Sequence, residues 1–328
     1  MEKAKVILDV DTGSDDAIAI MTAVKSEDLD VLAITTVNGN RPVPNTTENT
    51  LRVVDLLESD VPVYRGCEEP MVATLIPERQ MFRKTNDVEE VDGHTVTYHH
   101  EYLEELPPST SKAQDISAVR YLIDALLESD GDITIIAVGP LTNIASAMRA
   151  DPRIIGKIKK LVIMGGGHLQ TNTSSAAEFN IWKDPEAAQI VMTSGCDILL
   201  VPLDATHRAY VGAEESKKFR EMGTKVGVAV ADLLDARIEA YDLMQPISVA
   251  PYGTTPPHDA LAVCAVIDET VLQDIQHVRL DVDFGGSWAD GETIVDPRVR
   301  TDHPKNVRIA MNADREKFVN MLFQILGN

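Results

Sequence analysis

Near the N-terminus, four carboxylates fall within eight residues, in Asp9-Val10-Asp11-Thr12-Gly13-Ser14-Asp15-Asp16-Ala17. The cluster lies between the apolar run Val6-Ile7-Leu8 and a helix-like run over 17–24, so it occupies a strand-to-helix junction. In a strand, Asp9 and Asp11 project the same way because side chains alternate with period two. Like charges that close raise one another's pKa, and a neighbouring cation keeps them ionised. Gly13 lets the chain turn, and Ser14 or Asp15 is placed to cap the helix, whose first turn favours negative charge. Ligands that are all oxygen select a hard cation, Ca²⁺ or Mg²⁺.

Two further groups carry chemistry. His258-Asp259 follows Pro256-Pro257 and opens an apolar helix over 260–267, where an Asp serves either as a helix cap or as a ligand. Ala177-Glu178-Phe179-Asn180-Ile181 reads as a half-buried strand or loop. Its two polar side chains alternate around Phe179 and can reach one ligand together.

The elements that position these residues alternate. Strands are expected at about 6–10, 31–37, 61–64, 133–138, 161–164 and 198–201, with helices at 15–25, 45–57, 118–127, 141–149 and 185–193. Such alternation implies βαβ units and a mostly parallel sheet flanked by helices, with ligands at the carboxyl ends of the strands. Polar or Gly-rich segments follow the strands: the Asp cluster, Asn38-Gly39-Asn40, Gly139-Pro140-Leu141-Thr142-Asn143 and Gly165-Gly166-Gly167. Gathered at one sheet edge they form a pocket. Residues 68–114, rich in charge, Pro and His (His94, His99, His100), break the alternation and read as a flap over that pocket. Helices at 224–243 and 258–267, strands at 276–284 and 307–311 and a closing helix at 313–326 complete the chain. No repeat or low-complexity linker divides it, so residues 1–328 read as one domain.

Bulk properties exclude several classes of partner. The chain has 328 residues, 44% hydrophobic and 25% charged, with no apolar run long enough to span a bilayer. A formal charge of −22 disfavours nucleic acid and anionic membrane, which demand a basic surface. Met1-Glu2-Lys3-Ala4-Lys5 enters the first strand without a signal-peptide core, which argues for the cytoplasm. Cys67, Cys196 and Cys264 are too few and too widely spaced for a disulfide framework or a zinc site.

The Asp cluster, Val37-Asn38-Gly39-Asn40, Gly139-Pro140-Leu141-Thr142-Asn143, Met164-Gly165-Gly166-Gly167, Ala177-Glu178-Phe179-Asn180 and His258-Asp259 occur in that order between residues 6 and 268. Together they resemble the inosine-uridine preferring nucleoside hydrolases. The resemblance implies a Rossmann-like α/β fold and calcium-dependent hydrolysis of the N-glycosidic bond of ribonucleosides, releasing ribose and free base. By the family pattern, Asp11, Asp16 and Asp259 supply carboxylate oxygens to Ca²⁺ and Val138 a backbone carbonyl. Asp15, Asn40, Asn172, Glu178, Phe179 and Asn180 contact the substrate, Met164 lines the sugar, and Asp9 orients its neighbours. Asp11 doubles as general base and His258 helps the base to leave. A homodimer or homotetramer is implied as well.

The chain departs from the family pattern in two places. Thr12 stands where Pro is usual, and in place of a flap His-Gly-x-x-Gly the nearest stretch is Val91-Asp92-Gly93-His94-Thr95, in which His94 is the candidate for the base-binding part. Two other readings compete. Asp9-Val10-Asp11-Thr12 after an apolar strand also resembles a Mg²⁺-dependent phosphatase of the haloacid-dehalogenase type, which leaves Asp15-Asp16 and His258-Asp259 unexplained. A non-catalytic nucleoside-binding protein is the other alternative.

Overall fold

The computed structural model describes residues 3–76, 79, 88–91, 94–97, 100–244, 250–298 and 303–327, with the backbone alone for 88–91, 94–97 and 244. The first elements are β1 (Ala4–Val10), α1 (Ser14–Lys25), β2 (Leu29–Thr36), α2 (Val43–Leu56) and β3 (Val63–Arg65). A hairpin of β4 (Val88–Val91) and β5 (His94–Thr97) follows, then α3 (Ala118–Glu128), β6 (Ile133–Ala137), α4 (Thr142–Ala150) and β7 (Ile158–Met164). Next come α5 (Phe179–Lys183), α6 (Pro185–Met192), β8 (Ile198–Val201), α7 (Leu203–Thr206), β9 (Val211–Gly212) and α8 (Ala213–Glu221). The chain ends with α9 (Lys225–Met244), β10 (Thr254–Thr255), α10 (His258–Ile267), β11 (Leu272–Val282), β12 (Thr293–Asp296), β13 (Val307–Ala313) and α11 (Arg315–Leu326).

Nine strands form the central sheet in the order β12-β11-β13-β8-β7-β6-β1-β2-β3. Only β11 runs against the others, since it pairs antiparallel with both β12 and β13 while the remaining pairings are parallel. From β1 the chain proceeds to β2 and β3 on one side and to β6, β7 and β8 on the other. The carboxyl ends of β1 and β6 therefore flank a topological switch point, the place where open α/β sheets bind ligands.

Burial on both faces explains the nearly unbroken apolar strands. In β1, Val6, Leu8 and Val10 join the core under α1, α10 and α11, while Ile7 joins the opposite core under α3, α4 and α6. Helix ends carry their own signals: Ser117 accepts from Arg120 N (3.3 Å), Asp184 from Ala187 N (3.1 Å) and Asp314 from Lys317 N (3.0 Å). The Asp314 cap makes α11 begin at Arg315, two residues later than expected, because 312 and 313 still pair with β11. The expected strand at 276–284 begins at Leu272, where it pairs with Ala313, and ends at Val282, where Asp283 Oδ1 takes the Gly285 N–H (2.8 Å) into a turn.

Within 68–114 the described residues include 68–76 with a 3₁₀ turn (Ala73–Leu75), Arg79, the β4–β5 hairpin and the chain from 100 onward, with β5 against α9. His99 lies outside the described residues, as does the side chain of His94. All three cysteines are free thiols. No helix among the described residues is long and apolar enough to cross a membrane.

Candidate active site

The site begins where β1 ends. Gly13 occupies the N-cap of α1, and Asp16 reaches back to accept from Gly13 N (2.9 Å) and from Asp11 N (3.1 Å). Neither Ser14 nor Asp15 caps this helix, contrary to expectation; Asp16 takes the free backbone donors, as a third-position carboxylate does in a capping box. Asp15, thus released, brings its carboxylate within 4.8 Å of those of Asp16 and Asp259.

Asp259 enters from the first turn of α10 and makes no capping bond, so its position is explained by the cluster and not by the helix end. Asp11 lies beside the three. Its Oδ2 accepts from Asn40 N (2.7 Å), while Asn40 Nδ2 donates to Asp11 O and Asp16 Oδ2, both at 3.2 Å. Gly39 and Gly139 wall it in: a Cβ at Gly139 would stand 2.7 Å from Asp11 Oδ1. Asp9 points to α4, accepting from Thr35 Oγ1 (2.5 Å) and Asn143 Nδ2 (2.8 Å), and its Oδ2 is buried without a partner.

Burial dominates the electrostatics. It pushes Asp9 up to about 6, Asp16 to about 7 with help from Asp15, and Glu178 to about 7. Asp11 and Asp259 are raised well above the carboxylate range, by burial first and then by the neighbouring acids. The buried carboxylates of Asp15, Asp16 and Asp259, with oxygens within 4.8 Å of one another, form the kind of donor set that a hard divalent cation accepts, while Asp11 stands outside that trio. The residues fit a divalent metal.

Opposite the acids stands the start of α5. Glu178 caps that helix, accepting from Asn180 N (2.9 Å), Ile181 N (3.2 Å) and, across the loop, Gly166 N (2.8 Å). The segment is a loop leading into a helix, so the proposed alternation of Glu178 and Asn180 about Phe179 is replaced by one helical turn. Both still face the site. Asn180 Nδ2 donates to Val138 O (2.7 Å) and Met164 O (3.2 Å), tying the ends of β6 and β7 together. Asn172 is exposed and holds Phe179 N (3.0 Å), and half-buried Phe179 lies 6.3 Å from the Trp182 ring.

His258 is buried, with both ring nitrogens engaged: Nε2 with Tyr241 Oη and Nδ1 with Thr206 Oγ1, each at 2.7 Å. Burial, His207 and Arg237 hold its pKa well below the usual histidine value, so the ring is neutral. Sequence reading missed Tyr241, Thr206 and Arg237. Arg237 Nη2 pairs with Asp15 Oδ2 and its Nη1 meets Ser14 Oγ, each at 3.1 Å. Burial opposes its charge, but Asp15, Tyr241, Asp259 and Asp16 outweigh that and keep it protonated. The available signal was an Arg and a Tyr four residues apart, on one face of a helix.

Residues 6–320 match the family described as inosine-uridine preferring nucleoside hydrolase. The pyrimidine-specific ribonucleoside hydrolase RihB of Escherichia coli (strain SE11) is 35% identical over 320 residues, covering 97% of this chain and 95% of that protein. Among solved structures, a plant nucleoside hydrolase, PpNRh1, superposes with a TM-score of 0.86 at 29% identity, covering 99% of both chains. The purine-preferring ribonucleoside hydrolase from Gardnerella vaginalis gives 0.84 at 31% identity, covering 98% of both. The match sets aside the phosphatase reading. The chain belongs to the inosine-uridine preferring nucleoside hydrolase family and is an enzyme of that class.

Proposed function

We propose that this enzyme hydrolyses the N-glycosidic bond of ribonucleosides with a Ca²⁺ ion held by Asp11, Asp16, Asp259 and the Val138 carbonyl. The observation that carries the reading is the convergence of buried carboxylates from α1 and α10 at the switch point of the sheet. When bound, the ion supplies Lewis-acid chemistry that lowers the pKa of water. Asp11 takes the proton from the attacking water as general base. Positive charge then develops on the ribose, in an oxocarbenium-like transition state, and the acids around the sugar stabilise it.

Ribose recognition falls to Asp15, Asn40, Asn172, Glu178 and Asn180, with Met164 and Phe179 as apolar walls. His258 serves the departing base through Tyr241, whose hydroxyl it holds. Residues 68–114 act as a flap of a single domain; support comes from β5 against α9 and from Arg52, whose Nη1 donates to Leu103 O (3.0 Å) and Leu106 O (3.2 Å). The free thiols suit a reducing compartment, the cytoplasm. A homodimer or homotetramer rests on the family resemblance.

The test is a panel of uridine, cytidine, inosine, adenosine and 2′-deoxyuridine, assayed for released sugar before and after chelation and again after Ca²⁺ is restored. Ribose release that stops with chelator and returns with Ca²⁺ is the expected result. Turnover indifferent to chelator, or equal turnover of the deoxy form, contradicts the metal and 2′-hydroxyl roles.

A further inference from the structure

Departure of the base requires a group that offsets the electrons the base takes with it. The groups proposed above to serve it form a hydrogen-bonded chain, Thr206 Oγ1 to His258 Nδ1 and His258 Nε2 to Tyr241 Oη. Beside that chain stands a permanent cation, Arg237. It precedes Tyr241 by one turn of α9, so the two share a face, and its Cζ lies 5.6 Å from the Tyr241 ring centroid.

Three observations separate Arg237 from an ordinary surface cation. Its side chain is only 10% exposed, as is that of its partner Asp15. It lines a cavity with Thr12, Ser14, Asn40, His100 and Tyr102, next to the residues proposed to hold the sugar. Its Nε is buried without a hydrogen-bond partner. The guanidinium thus stands between Asp15, on the ribose side, and Tyr241, on the leaving-group side.

We propose that the Arg237 guanidinium is the fixed positive charge of the leaving-group side, and that it sets a preference for bases that depart as delocalised oxo anions. The inference rests on the hydrolase reading above. As the C1′–N bond breaks, its electron pair passes to the base, and Arg237 stabilises the charge that appears there. The water that adds at C1′ loses one proton to Asp11, which returns it to solvent, and the departed base anion takes one proton from solvent, so the products are ribose and neutral base. A charge that is preorganised and buried is worth most where charge develops, and deleting one such group costs about 10²-fold or more in rate.

The experiment compares wild type, Arg237→Gln and Arg237→Lys on uridine, cytidine and p-nitrophenyl β-D-ribofuranoside, whose leaving group needs no assistance. The inference predicts that Arg237→Gln loses about 10²-fold in kcat on uridine but less than about tenfold on the nitrophenyl riboside, with Arg237→Lys in between. Equal losses on both substrates would assign Arg237 to Asp15 or to folding and overturn it. Should Arg237→Gln not fold, wild type alone decides: uracil is a stronger N–H acid than cytosine, so uridine must be turned over faster than cytidine, and the reverse order overturns the inference. No ribose from any substrate with wild type, Ca²⁺ present, overturns the hydrolase reading and the inference with it. Loss of the leaving-group effect alone leaves the hydrolase reading standing.

Discussion

Asn180 Nδ2 donates to the carbonyl oxygen of Val138 at 2.7 Å, joining a proposed ribose contact to a proposed metal ligand across β6 and β7. The same amide reaches Met164 O at 3.2 Å. Removing it leaves two buried carbonyls short of a donor, a loss of about 1–3 kcal/mol, and frees the Val138 peptide to turn. Asn180→Ala is therefore expected to weaken Ca²⁺ binding about 10- to 100-fold, as loss of a ligand's supporting hydrogen bond does, and to raise KM. Calcium titration checks it; unchanged metal affinity would break the link.

Gly39 packs so closely on Asp11 that a Cβ there overlaps the carboxylate. Gly39→Ala must push Asp11 out of line while leaving the sheet intact. A fall in kcat of about 10²-fold is expected for a displacement of that kind, with the far-UV circular dichroism of the wild type. A variant with wild-type kcat would remove Asp11 from the general-base role.

His207 packs edge-on against His258, 5.4 Å between centroids, and burial lowers its pKa from 6.5 to about 4. The folded protein keeps this ring neutral while the unfolded chain protonates it below 6.5, so the unfolded state binds more protons between those values. Stability is complete above about 6.5 and falls as pH drops towards 4. At pH 5 the contribution is about 1–2 kcal/mol. His207→Asn should lose that much less stability than wild type between pH 7 and pH 5 in urea melts. Parallel losses in the two proteins would contradict the assignment.

Arg79 is buried against two acids from distant parts of the chain. It grips Asp290 through Nε (3.2 Å) and Nη2 (2.6 Å) and Glu186 through Nη1. Arg79→Met takes the cation away from both carboxylates and should cost about 3–5 kcal/mol in denaturant unfolding. Adding Asp290→Asn should return part of it, since the two sites are coupled. Additive losses would show that the pair does not interact.

Much of the fold was legible because βαβ units write it locally. The apolar strand 6–10 and the helix after Asp15 are each specified by nearest neighbours, and both form close to where their patterns place them. The edge strand β12 was not legible: it has four residues and an exposed Ile294, and pairing with β11 alone makes it a strand. Likewise 177–180 has no periodicity strong enough to separate a strand from a capped turn, and contact with Gly166 settles it.

By itself the sequence determined the family and the alternating α/β architecture, because the residues that carry them sit in contiguous motifs at the ends of strands. Tertiary structure alone decided how the acids divide. Asp16 turns inward to the backbone of its own helix end, Asp15 meets Asp259 from 244 residues further on, and Arg237 closes on Asp15 from α9. Spacing along a chain encodes local geometry, whereas charge pairing between distant helices depends on how they pack, and no single motif records it.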